Sequence, residues 1–226
     1  MPTRKPRPIT SQDIPALLAK IRRASRAWRL PGVSQMGRDS RDPFRVLVGC
    51  ILSLRTRDET TLPASERLFA LADSPEALAR LSPRAIERAI FPVGFYRTKA
   101  RRLPALARTL IRRYGGKVPD SLEELLAIKG VGRKTANLVV TVAFGKPGIC
   151  VDTHVHRISN RWGLVRTRTP DKTEFALRDV LPRRYWIAYN DLLVPFGQRM
   201  CHPLSPRCSA CPIADRCPRI GVTRSR

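Results

Sequence analysis

Acid is in short supply in this chain. Its 18 Asp and Glu stand against 43 Lys and Arg, for a formal net charge of +25. Lysine is scarce too: it occupies only positions 5, 20, 99, 117, 129, 134, 146 and 172, and arginine supplies the other cations. Long hydrophobic runs are missing. The uncharged stretch 135–145 falls far short of the ~20 residues a membrane helix requires. The opening "MPTRKPRPIT" is basic, but no apolar segment follows it, which argues against a secretory signal. These shortages predict a soluble cytoplasmic protein with no membrane partner, nucleoid-associated if the source is prokaryotic. Period-2 alternation is almost absent, which leaves little room for strands.

The charge itself needs a partner. Folding does not require so large an excess, and self-repulsion opposes compactness. The basic residues run from Arg4 to Arg226 instead of collecting in one tail. That distribution suits a folded surface facing nucleic acid, with a short phosphate-tracking arm at the N-terminus.

Apolar residues recur at helical spacing in "IPALLAKIRRASRAWRL", "PFRVLVGCILSL", "TKARRLPALARTLIRRY", "SLEELLAI" and "KTANLVVTVAF". Breaks such as "LPGVSQMG", "YGGKVPD" and "FGKPG" separate them. "DSPEAL", "LSPRAI", "DSLEEL" and "RTPDKTEF" each place a Ser, Thr or Asp cap before Pro or Glu. The reading is all-α, built from many short helices, with Pro104 bending or dividing the helix that holds it.

"SLEELLAIKGVGRKTANLVVTVAF" reads as helix, tight turn, helix over about 121–144. Gly130 and Gly132 keep the turn bare. A second helix opening at Arg133 offers its first N–H groups to a phosphate without any side chain. Such a grip positions nucleic acid but reads no sequence. Lys134 fits two roles at this place. It can clamp a phosphate, or it can act as an amine nucleophile, which arginine cannot do because it does not deprotonate. Positive potential from Arg133 and the helix end disfavours the ammonium form, and partial burial adds to that. Asp152 in "VDTHVHRISNRW" is a natural helix cap, and a cap holds its carboxylate in a fixed place.

Four of the six cysteines crowd the end of the chain: Cys201, Cys208, Cys211 and Cys217, spaced C-x6-C-x2-C-x5-C. In an intracellular chain such a cluster reads as metal binding before disulfides. Four thiolates with one close pair suit a [4Fe–4S] cube, with a zinc site as the alternative.

"LLAIKGVGRKTAN" followed by "VDTHVHRISNR" resembles the helix-hairpin-helix DNA glycosylases, and specifically the endonuclease III family. The likeness runs from about Asp42 to Cys217. It implies two α-helical lobes with DNA in the cleft between them: a six-helix lobe over 36–146, and a lobe of N- and C-terminal helices (1–35 and 147–226) that carries the cluster loop, 201–217. It implies Lys134 as the catalytic lysine and Asp152 as the catalytic carboxylate. Their partner is double-stranded DNA bearing damaged bases or abasic sites, and the protein acts as a monomer. Gly130, Val131, Gly132, Arg133 and Thr135 are the DNA-binding hairpin positions, with a monovalent cation held by hairpin carbonyls. His154 lines the site, and the cluster is structural, turning Arg199, Arg207 and Arg216 toward DNA.

Two positions depart from the family pattern. Arg55 stands where Gln is usual in the first strand-opening loop, and Phe95 where Leu is common in the second. The implied activity is removal of oxidised pyrimidines and strand cleavage at the abasic site. The alternatives are a glycosylase of shifted specificity, for alkylated or mismatched bases, and a non-catalytic iron–sulfur DNA-binding protein. Adenine-mismatch glycosylases lack the hairpin lysine and carry an early Glu, where this chain has Cys50.

Overall fold

The computed structural model describes residues 6–28, 32–40 and 42–226; the basic arm expected at 1–5 lies outside them. The described residues contain no strand. They form α1 (Ile14–Ala24), α2 (Gly32–Ser40), α3 (Pro43–Ser53), α4 (Asp58–Leu71), α5 (Pro75–Arg80), α6 (Pro83–Ile90), α7 (Tyr96–Tyr114), α8 (Leu122–Leu126), α9 (Arg133–Phe144), α10 (Thr153–Arg161), α11 (Pro170–Val180) and α12 (Trp186–Arg199). None is long and apolar enough to cross a membrane.

The helices begin where their caps stand. Asp42 Oδ1 accepts from the Phe44 N–H at 2.9 Å, with Pro43 in the first turn. Ser74, Ser82 and Thr169 cap α5, α6 and α11 in the same way, each followed by proline. Proline there loses no hydrogen bond, because a first-turn N–H has no partner within its helix. α7 runs unbroken through Pro104. α1 stops at Ala24, before its apolar pattern ends, and the Ser25 hydroxyl takes the Arg22 carbonyl at 3.3 Å.

"LPGVSQMG" reads as a break, yet most of it is α2. Its glycines are contact points. A Cβ on Gly37 collides with Val142 of α9, and a Cβ on Gly49 of α3 meets Met36 Sδ at 2.7 Å. Close packing of α2 on α3 and α9 overrides the low helix propensity of glycine.

The chain divides into two compact units, Pro31–Gly148 and Met1–Leu30 with Ile149–Arg226. A boundary at 36 cuts α2, whereas this one leaves it whole. Among the described residues, the continuous unit holds six helices of eight residues or more and two shorter ones, α5 and α8. Its core includes Leu47, Leu52, Leu68, Leu78, Ile86, Leu110 and Val139. In the other unit α1 buries Ile14, Leu17, Leu18 and Ile21 against Ile158, Trp162, Leu177, Tyr189 and Phe196. Each such side chain contributes about 1.5–3 kcal/mol through burial, so α1 is held by packing more than by its own propensity.

Candidate functional site

The hairpin lies in the continuous unit. Ser121 caps α8, its hydroxyl accepting from the Glu124 N–H at 3.2 Å and donating to the Glu124 carboxylate at 2.8 Å. The turn closes when the Val131 N–H donates to the Ile128 carbonyl at 3.0 Å. Gly130 has φ +93°, a conformation glycine adopts freely, and nothing lies within 4 Å of a Cβ built on Gly130 or Gly132. Gly132, the N-cap of α9, brings no side-chain cap of its own. Val131 and Thr135 are buried, so what they can offer a phosphate is backbone. Arg133 is half-buried, and Asn137 Nδ2 donates to its carbonyl at 3.1 Å. Lys134 is exposed, not partly buried.

Arg55 and Phe95 come together in the same unit. Arg55 has φ +55° and Phe95 φ +58°, the left-handed region that non-glycine residues seldom occupy. The Arg55 guanidinium lies 5.4 Å from the Phe95 ring centroid, and Phe95 is 60% exposed at the start of α7. The two loops touch: the Gly94 backbone N–H donates to the Thr56 side-chain Oγ1 at 3.1 Å, and a Cβ on Gly94 would lie 2.5 Å from the Arg55 carbonyl oxygen. An exposed aromatic thus lies beside a cation on two loops with left-handed backbone. A cavity of about 250 Å³ beneath them is lined by Arg55, Phe95, Arg102, Lys129 and Gly130, among others, so it adjoins the hairpin turn.

Sequence reasoning missed Lys99, which lies under this pair and is 7% exposed. Its Nζ donates to the carbonyls of Leu52 at 2.8 Å and Leu54 at 2.7 Å, and approaches Thr56 Oγ1 at 3.4 Å. Burial lowers its pKa to about 8. The signal was available, because Lys99 is one of the few lysines in an arginine-rich chain, the same scarcity that singles out Lys134.

Asp152, His154 and the four cysteines belong to the other unit. Asp152 Oδ1 accepts from the His154 and Val155 N–H groups, both at 2.8 Å, and Oδ2 accepts no hydrogen bond from a described residue. The carboxylate is half-buried and held at the positive end of α10. Arg157 Nη2 donates to His154 Nδ1 at 3.0 Å, and the imidazole lies against Gly197, which has no room for a Cβ. His156 Nδ1 meets Thr173 Oγ1 at 2.6 Å in a partly buried polar network.

Cys201, Cys208, Cys211 and Cys217 line one small cavity with Trp162, Phe196, Met200 and Ile213. All four are free thiols. Two arginines of α10 fasten the loop. Arg157 Nη2 donates to the Cys201 carbonyl at 2.8 Å, and Arg161 Nη1 donates to Cys201 Sγ at 3.2 Å and to the His202 carbonyl at 2.6 Å. Burial, with the neighbouring cysteines adding, pushes the Cys211 thiol up to about 12. Such thiols give up their protons to a metal, not to water. Four cysteines lining one cavity, no carboxylate among its lining residues and an N–H donor aimed at one sulfur fit an iron–sulfur cluster.

Two family models match the chain. The family model "HhH-GPD superfamily base excision DNA repair protein" matches residues 48–183, and "Iron-sulfur binding domain of endonuclease III" matches 201–217. An endonuclease III of Thermotoga maritima is 52% identical over 78% of this chain and 83% of its own. The solved structure of a non-covalent endonuclease III–DNA complex is 34% identical with a TM-score of 0.82, covering 92% of this chain and 95% of that one. A trapped covalent endonuclease III–DNA intermediate with an estranged adenine is 33% identical with a TM-score of 0.80, covering 92% and 96%. The loop therefore holds a [4Fe–4S] cluster. Purified protein is expected to be brown, with iron and sulfide in the ratio of a cube. Cys211→Ser should lose most of that absorbance. A colourless, zinc-loaded, fully active protein would contradict the assignment.

Proposed function

The chain belongs to the endonuclease III family of the helix-hairpin-helix base excision repair superfamily, and on that premise we propose that it is a bifunctional glycosylase and abasic-site lyase acting on oxidised pyrimidines in duplex DNA. Base-excision glycosylase is the part the relatives carry directly. The lyase step, the lesion class and the roles of individual residues are our reading. On that reading the protein works as a monomer in the compartment that holds the DNA, with the hairpin carbonyls as the seat for a monovalent cation.

The bare turn and uncapped start of α9 hold a phosphate of the damaged strand through backbone N–H groups. Arg55 and Phe95 fill the gap left when the target nucleotide swings out of the stack, a step that costs a few kcal/mol. As the bond from C1′ to the base stretches, positive charge grows on the sugar, and the Asp152 carboxylate stabilises it. The neutral Lys134 amine forms a bond to C1′, and the base leaves with the electron pair of the broken bond and takes up a proton. Nζ then passes a proton to the ring oxygen O4′ as the C1′–O4′ bond breaks, leaving the open sugar as an iminium on Lys134 Nζ. Loss of a C2′ proton then expels the 3′ phosphate, which nicks the strand on the 3′ side of the lesion. Hydrolysis of the iminium frees the lysine. The cluster supplies a structural cross-link for the loop 201–217.

The observation that carries the reading is the lysine itself. Lys134 stands in the first turn of α9, behind an uncapped glycine turn, in a chain that elsewhere prefers arginine. The replacements at Arg55 and Phe95 bear on which lesion is taken. A side-by-side panel of duplexes carrying thymine glycol, an alkylated base or a mismatch tests this. Thymine glycol is expected to be released at least about tenfold faster than the others, a difference of ~1.4 kcal/mol in barrier. Faster release of an alkylated or mismatched base would replace the oxidised-pyrimidine assignment.

A further inference from the structure

We propose that Lys99 is the positioning residue of the strand-opening wedge: its side chain ties the loop that carries Arg55 to the loop that carries Phe95, so that the two enter DNA as one preformed unit. The inference rests on the reading of Arg55 and Phe95 as the wedge.

The geometry is specific. α3 ends at Ser53, and the last carbonyls of a helix have no partner within it. Lys99 Nζ supplies donors to Leu52 and Leu54 there and also faces Thr56 Oγ1. These acceptors bracket Arg55, the residue in left-handed conformation. Thr56 Oγ1 in turn accepts from the Gly94 N–H, one residue before Phe95. Lys99 itself belongs to the first turn of α7, directly after Phe95, and its own N–H donates to the Phe95 carbonyl at 3.0 Å. One side chain therefore reaches from the helix that starts at one wedge residue to the turn that holds the other.

An ammonium carries three N–H groups, and three oxygens face it. The neutral amine has two N–H groups and a lone pair, which would confront one of those oxygens. Arg55, Arg102 and Lys129 are the charged groups that share the cavity with Lys99, and no carboxylate lines it. The three oxygens are thus what holds the charge in place. With burial lowering its pKa to about 8, the tie loosens in the alkaline direction. The entropy saved by preforming both loops appears as faster opening of paired DNA.

The test compares kcat/KM on a thymine-glycol duplex with kcat/KM on the same lesion in an unpaired bubble, which needs no wedge. Lys99→Met keeps the chain length and removes the donors. It is expected to lose about ten- to hundredfold on the duplex, the range for a hydrogen bond to a charged group, with little loss on the bubble. Lys99→Arg, with the adjoining cavity to receive the larger head, should recover most of the duplex rate. Phe95→Ala serves as the reference. If Phe95→Ala loses selectively on the duplex and folded Lys99→Met does not, or if Lys99→Met loses equally on both substrates, the positioning role is overturned. If Phe95→Ala shows no selective loss, the wedge reading itself has failed. Should Lys99→Met not fold, as judged by helical circular dichroism, the wild type decides. Its duplex-to-bubble ratio falls as pH rises through about 8 if Lys99 positions the wedge, and stays flat if it does not.

Discussion

Lys134→Ala is expected to abolish both base release and strand cleavage, by about 10³-fold or more, while DNA affinity falls only slightly. Removing a nucleophile costs most of an enzyme's catalysis because no other group supplies the missing bond. The variant should fold normally, since Lys134 is exposed and surface changes of this kind stay within about 0.5 kcal/mol. Lys134→Arg sharpens the result. It keeps the cation and its phosphate-binding capacity but cannot present a neutral amine. If Lys134 were only a clamp, arginine would preserve activity. On the present account Lys134→Arg is as inactive as Lys134→Ala yet binds DNA at least as tightly as the wild type. Single-turnover cleavage beside a binding titration at fixed salt separates the two, because phosphate contacts make affinity strongly salt-dependent.

Asp152→Asn should lower the single-turnover rate about 10²- to 10³-fold, the usual scale for removing one preorganised charge from a transition state. Its binding and thermal stability should change little. The substitution is informative because it separates the proposed catalytic charge of Asp152 from its cap. Its Oδ1 caps α10 through two 2.8 Å hydrogen bonds. Asparagine caps about as well as aspartate, whereas alanine costs about 0.5–2 kcal/mol. Asn therefore removes the charge and leaves the cap. A parallel loss of rate and affinity would mean that Asp152 is structural only. Asp152→Ala, by contrast, should lower the melting temperature as well, and a comparison of the two melting curves checks that the cap survives in Asp152→Asn.

What could be read from the sequence was what depends on local spacing. The caps at Ser74, Ser82, Ser121 and Thr169 lie where a small polar residue precedes Pro or an acidic helix start, and each makes its hydrogen bond in the fold. The hairpin at Gly130 follows from two glycines between apolar runs. α2 was not legible, because its helix depends on Gly37 and Gly49 letting three segments approach closely, a tertiary effect with no local signature. The exposure of Lys134 was not legible either, since one charge at the mouth of a turn reads alike whether buried or solvated.

Lys99 was the largest omission. Its partners lie more than forty positions earlier in the chain, and no periodicity announces a lysine that caps another helix. The arginines that fasten Cys201 went unnoticed for the same reason: Arg157 and Arg161 look like ordinary cations until the loop returns to them. The cysteine spacing, by contrast, was legible as a metal site, because it depends only on local order; it left zinc as the alternative until the iron–sulfur family model matched 201–217.

The central claim is that the amine of Lys134 becomes covalently joined to the damaged sugar. Borohydride reduction of the wild-type protein on an abasic-site duplex, followed by proteolysis and mass spectrometry of the cross-linked peptide, reads it directly. A single adduct is expected, carried on Lys134. An adduct on the N-terminal amine or on another lysine, or no adduct while the strand is still nicked, would contradict it.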